Sequence, residues 1–244
     1  MNKAALVVGA GDATGGAIAR RFAREGYVAC VARRNEDKLA PLVDAIHSEG
    51  GQARAFGCDA RNEEQVTAMV DVIEAQVGPV EVAVFNIGAN VHYPILETTA
   101  RVYCKVWEMA AFAGFLTGRE AARVMVPRER GTIIFTGASA SVRGRAGFSA
   151  FSGAKHALRS LAESMARELA PQGIHVAHPI IDGAIDTAFI RDNFPERYAT
   201  KAHDGILDPE HIADAYWHLH TQPRDCWTFE LDLRPWSESV FGIR

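Results

Sequence analysis

Short apolar runs alternate with longer stretches of helical periodicity along this chain. Ala4-Ala5-Leu6-Val7-Val8 is the size of one buried strand. It leads into Gly9-Ala10-Gly11-Asp12-Ala13-Thr14-Gly15-Gly16. Residues 17–25 then show helical spacing that stops at Gly26. Further strand-like runs cover residues 27–32, 80–85, 132–137 and 173–181, and another ends at Phe56-Gly57-Cys58-Asp59. Helical patterns cover residues 62–77, 101–126 and 151–170. Strands alternating with helices predict an α/β fold, a doubly wound parallel sheet of Rossmann type with helices on both faces. The 244 residues form one domain, 1–244.

Strand, glycine-rich turn and helix together make a dinucleotide site. Glycines let the backbone approach a pyrophosphate, and a helix N-terminus favours its charge. The second strand ends in Ala32-Arg33-Arg34, where an acid would grip the ribose hydroxyls of NAD. Arginine there accommodates the 2′-phosphate of NADP, so we read NADP(H) over NAD(H). Asp12 argues the other way if it lies near that phosphate; its alternative role is as a helix cap. Asp59, at the end of the third strand, is a candidate partner for the adenine amine.

With these segments in order, the chain resembles the short-chain dehydrogenase/reductase family along essentially its whole length. The resemblance rests on Gly9 to Gly15, Cys58-Asp59, Asn86-Ile87-Gly88, Lys155, and Asp182-Gly183 with Thr187. It implies a seven-stranded sheet and hydride transfer between a nicotinamide and a carbonyl, alcohol or activated double bond. It assigns Gly9, Gly11, Asp12, Ala13, Thr14, Gly15, Arg33, Arg34, Asp59, Asn86, Ile87, Gly88, Lys155, Asp182, Gly183, Ile185 and Thr187 to the cofactor. It also implies a substrate lid at 188–208, and a homodimer or homotetramer built on the helix that carries Lys155.

The departures from the family are chemical. Ala13 replaces the middle glycine of the turn, and Asp182 replaces a proline. The family's asparagine falls on Ala110, its serine on Ala138 and its tyrosine on Phe151; only Lys155 remains. Lys155 is therefore the candidate catalytic residue, with the ribose contact as its expected role. A positioned acid is worth about 10²–10⁴ in rate. Three routes compensate for its loss. The first is a substitute hydroxyl from Ser139, Ser141 or Ser152, although Ser139 should point away from position 138 in an extended segment. The second is His92 or Tyr93, in the loop after Asn86-Ile87-Gly88. The third is a substrate such as an activated alkene or iminium, which needs no tyrosine proton and suits an apolar pocket of Phe151, Ala138 and Ala110. His92, His156 and His178 read as structural.

Composition narrows the class. A net charge of −4 gives no basic footprint for nucleic acid. Cys30, Cys58, Cys104 and Cys226 have no metal or redox spacing, and no signal peptide or membrane span is visible. These features point to a cytoplasmic protein acting on a small molecule, without a metal. Arg123, Arg128 and Arg130 read as a solvated cluster. Asp208-Pro209-Glu210 starts a helix that turns Ile212, Ala215, Tyr216 and Leu219 toward the core. Three functions follow: an NADP(H) oxidoreductase of non-standard mechanism, a cofactor-binding sensor or scaffold without turnover, and a non-redox isomerase or lyase on the same fold.

Overall fold

A computed structural model describes residues 2–238. Strands β1 (Lys3–Val8), β2 (Tyr27–Arg33), β3 (Gln52–Gly57) and β4 (Val80–Phe85) precede β5 (Gly131–Phe135), β6 (Gly137–Ala138), β7 (Ile174–Ile181) and β8 (Glu230–Leu233). All pair in parallel, in the order β3-β2-β1-β4-β5-β7, with β8 on the far side of β7. Among the described residues there are eight strands, the expected seven and β6, which continues the line of β5 past Thr136 and also pairs with β7. The segment around Glu230 supplies β8.

Every residue of β4 and β7 is buried, as expected for strands covered on both faces. On one face, α3 (Glu63–Gln76), α5 (Ala113–Met125) and α6 (Ser149–Leu169) bring Val70, Ile73, Leu116 and Leu158 into the core. On the other, α1 (Thr14–Arg24), α2 (Ala40–Ser48) and α9 (Pro209–Thr221) bring Ile18, Phe22, Ile46, Ile212 and Tyr216. Asp208 caps α9 by accepting from the Glu210 N–H at 2.8 Å. Ala213 is buried on α9, whereas Ala215 is only partly so, which rotates the core face slightly from the expected one.

The helix expected over 101–126 is interrupted. It runs as α4 (Ala100–Trp107), a π-helical turn (Glu108–Phe112) and then α5. The wider turn adds a residue to the helical repeat, a feature that periodicity over a long window averages away. The arginine cluster is paired rather than merely solvated. Arg123 binds Asp71 and Glu120, Arg128 binds Glu74, and Arg130 binds Glu81. Segment 188–208 folds into α7 (Ala188–Asn193), α8 (Pro195–Ala199) and a 3-10 turn (Thr200–His203).

β1 has β2 on one side and β4 on the other, while the chain runs outward through β3 before it returns. The strand order therefore reverses between β1 and β4, and a crevice opens beyond their carboxyl ends. Gly9 and Asn86 stand at those ends. The Gly9 N–H donates to Ala32 O at 2.9 Å and the Asn86 N–H to Val8 O at 2.8 Å.

Candidate active site

The glycine turn is shaped by close approach. Gly9 has φ +87°, and a Cβ on it would stand 2.9 Å from the Asn86 carbonyl. A Cβ on Gly15 would stand 2.6 Å from Gly9 O. Both positions require glycine. At Ala13 φ is −114° and ψ −122°, and a methyl group stands where the family has its middle glycine. Ala13 is also the N-cap of α1, and it makes no side-chain cap bond. Asp12 is exposed and is not the cap, contrary to the alternative read for it.

Two cavities, each about 510 Å³, meet across Gly9, Gly11, Asn86, Ile87 and Gly88. The residues present fit a dinucleotide. No atom lies within 4 Å of an ideal Cβ on Gly11 or Gly88, so the backbone there faces open space. The uncapped end of α1 meets the first cavity through Ala13, Thr14 and Gly15, and helix N-termini favour an anion.

The second cavity is basic. Arg33, Arg34, Lys38 and Arg61 line it, and Asp59 is its one acid among the described residues. Asp59 is paired with Arg61 through contacts of 2.6 and 2.9 Å, and these bonds hold its carboxyl below the usual range. It keeps lone pairs for an amine donor. Asp12 lines the first cavity rather than this one, so it does not oppose Arg33 and Arg34 directly. Sequence reasoning missed Lys38 and Arg61; only the packing of β2 beside β3 brings the segments that carry them together.

Phe151 and Lys155 share a face of α6, and both line the first cavity with Ala138, Ser139 and Ser152. Lys155 is 3% exposed. Its Nζ donates to Thr136 O at 2.8 Å and to Ile87 O at 3.2 Å. Burial pushes its pKa down to about 8. Phe151 packs with Ala89, Val106, Ala110, Ala150 and Ala154. Ala110 is fully buried behind Phe151 and does not line the cavity, which corrects the pocket expected from sequence.

The candidate hydroxyls separate. Ser139 lines the cavity beside Ala138, because a 3-10 turn (Ser139–Ser141) replaces the extended backbone that would point it away. Ser152 Oγ is buried and has no partner among the described residues. Ser141 is fully buried and accepts from the Ala138 N–H at 3.1 Å. His92 and Tyr93 are exposed and do not line the cavity; His92 packs edge-on against Phe148, with ring centroids 5.0 Å apart.

Gly183, Ile185 and Thr187 line the first cavity, and Thr187 also caps α7 by accepting from the Ile190 N–H at 3.1 Å. Asp182 is 2% exposed and lies behind the cavity wall, where its N–H donates to Leu233 O at 2.8 Å. No residue of 188–208 lines this cavity.

An ion network steadies α6 from below. Arg159 grips Glu230 at 2.6 and 3.0 Å, and Glu230 also meets His178 Nδ1 at 3.2 Å. Burial pushes His178 down to about 4, so it is neutral at pH 7 and structural, as expected. His156 is exposed and meets Ser152 O. Burial also pushes the Cys58 thiol up to about 11 and that of Cys30 to about 12. No metal-binding cluster occurs among the described residues, and no helix there is long and apolar enough to cross a membrane.

Comparison with known proteins agrees with this geometry. The family model described as "short chain dehydrogenase" matches residues 3–197. The short-chain reductase protein NovJ of Streptomyces niveus is 32% identical over 238 residues, 98% of this chain and 89% of that protein. A crystal structure of a short-chain dehydrogenase from Rhodopseudomonas palustris is 49% identical, with a TM-score of 0.83, covering 97% of this chain and 100% of that one. A 7α-hydroxysteroid dehydrogenase solved with NADH and 7-oxo glycochenodeoxycholic acid is 26% identical, with a TM-score of 0.87, covering 96% and 93%. With its switch-point crevice, its glycine turn and a family match over most of its length, this chain belongs to the short-chain dehydrogenase/reductase family.

Proposed function

We propose that this oxidoreductase uses NADP(H) and moves a hydride to or from a small organic substrate without a tyrosine acid. The observation that carries the reading is the buried Lys155 ammonium one helical turn from Phe151, inside the cavity that the glycine turn opens. The turn and the N-terminus of α1 bind the pyrophosphate. Asp59 meets the adenine, and Lys155 meets the nicotinamide ribose. When bound, the nicotinamide supplies or accepts the hydride.

The protein's part is orientation and charge. Hydride transfer depends on near-attack positioning, which a closed cavity provides. A carbonyl or activated alkene that accepts hydride gains negative charge next to the carbon it reduces, whereas an iminium is neutralised to an amine. Lys155 faces that charge as a buried cation, worth more than an exposed one because little water screens it. It also has a proton to give at neutral pH. Activated alkenes and iminium ions need least help and are the preferred acceptors. α7 and α8 serve as the lid; Phe189 and Phe194 stand exposed there, 63% and 50%, as apolar surface available for closure.

The basic second cavity supports NADP(H) over NAD(H). A 2′-phosphate placed among Arg33, Arg34, Lys38 and Arg61 gains charge-assisted bonds. Fluorescence titration is expected to show NADPH binding at least about tenfold tighter than NADH, and replacing Arg33 and Arg34 by alanine should erase the difference. Equal binding of the two by the natural chain would sink the preference. A screen of carbonyls, alkenes and imines then tests turnover. If NADPH binds and no alkene or imine is reduced, the proposed mechanism fails.

Tyr103, Trp107 and Phe115 are exposed on α4 and α5 at 44%, 44% and 38%. This aromatic stripe supports a homodimer or homotetramer. Light scattering should find one of these, and a monomer at micromolar concentration would refute it. The free thiols at Cys30, Cys58, Cys104 and Cys226 support a cytoplasmic setting.

A further inference from the structure

We propose that Arg143 and Arg145 clamp an anionic group, selecting a substrate with a small apolar body and a carboxylate. The proposal rests on the reading that the first cavity receives the substrate. Both arginines lie on the connection between β6 and α6, and both line that cavity. They are the two guanidinium groups among the described residues that line this cavity.

Arg128, Arg130 and Arg159 each hold a carboxylate. Arg143 holds none among the described residues. Its Nε is buried and has no acceptor there; Arg21 Nε and Arg128 Nε are in the same state, but their guanidinium groups hold carboxylates. A buried N–H without an acceptor is destabilising, so an incoming acceptor recovers free energy there. Arg145 makes no ion pair among the described residues either; its guanidinium lies over the Phe148 ring, 5.5 Å from the centroid. That contact orients the charge along the cavity wall. A guanidinium presents a planar fork that matches a carboxylate in two-point geometry.

The rest of the wall specifies the body. Ala138, Ala140, Phe148 and Phe151 make it apolar. Asp12 is the one acid lining the cavity among the described residues, and it belongs to the glycine turn rather than to the β6–α6 connection. The cofactor's own phosphates are the competing acceptor. They are provided for by that turn and by the uncapped end of α1, which leaves the two arginines for the substrate.

Calorimetry on the NADP⁺-loaded full chain tests this with 2-naphthoate and its methyl ester. The acid is expected to bind about tenfold tighter or better than the ester. Arg143→Gln should bring the two within about threefold, with ester binding and NADPH affinity unchanged, and Arg145→Gln should act in the same direction. Equal binding of acid and ester by the natural chain overturns the clamp. So does a preference that survives both substitutions, or no binding of the acid. A loss of NADPH affinity in Arg143→Gln also overturns it, because the guanidinium would then serve the cofactor. Failure of the underlying functional reading has a different signature: the natural chain would not bind NADPH at all.

Discussion

The double substitution F151Y/A138S is expected to raise NADPH-dependent reduction of simple aldehydes and ketones by about 10²–10⁴-fold over the natural chain. The argument is geometric. α6 turns positions 151 and 155 to one face, and both line the cavity. Phe151 is only 9% exposed, so its ring orientation is held by packing against Ala110, Ala150 and Ala154. A phenol there places its hydroxyl near the Lys155 ammonium, which favours the phenolate and so brings the phenol pKa down toward the working range. Ala138 already lines the cavity, and its N–H is tied to Ser141. A hydroxymethyl at 138 therefore adds a donor without moving the backbone. Steady-state rates on matched carbonyls, with NADPH affinity measured in parallel, decide the matter. No gain from either single or the double substitution, with cofactor still bound, would show that the pocket lacks the family geometry.

Lys155 carries the second large effect. Lys155→Met should lower kcat/KM by about 10²-fold or more, because the buried cation facing the developing charge disappears. The natural enzyme's kcat/KM for reduction should fall as pH rises through about 8, where the ammonium loses its proton. The residual rate of the variant should be flat in that range. A pH profile of the natural enzyme that stays level from 7 to 10 would remove Lys155 from the chemistry.

The same group links stability to pH. Its folded pKa, about 8, lies below the ordinary value of 10.5, so the unfolded chain binds the proton more tightly. Between those two values the folded state gains as pH rises, and below about 8 the cost of burying the charge is fully present. In the cofactor-free protein, the natural chain should therefore gain on the order of 3 kcal/mol relative to Lys155→Met between pH 8 and 10.5. Denaturant melts of both proteins across that range measure it.

Local patterns were the most legible part of the chain. β4 matches its apolar run residue for residue, and Asn62 caps α3 where the helical pattern begins. Their signals lie within a few consecutive residues, so no distant contact is needed to read them. The π-turn at Glu108–Phe112 and the 3-10 turn that carries Ser139, a residue read as a pocket candidate, were not legible. Both depend on a local change of backbone geometry that leaves the composition of the segment unchanged. His92 and Tyr93 were read by their position after β4, but their loop stays on the surface and packs on Phe148 and Gly147 instead.

The sequence by itself determined the order of elements, the glycine turn and the missing hydroxyls at 138 and 151. Each of these is a property of residue type and of spacing along the chain, which no packing can alter. Tertiary structure alone decided which charges meet. Glu230 reaches Arg159 across 71 positions, and Arg143 reaches the cavity with no ion pair among the described residues. Lys155 became a cation with a depressed pKa because sheet and helices close around it and exclude water. Desolvation and charge pairing depend on distances in space, and a linear chain acquires those only when it folds.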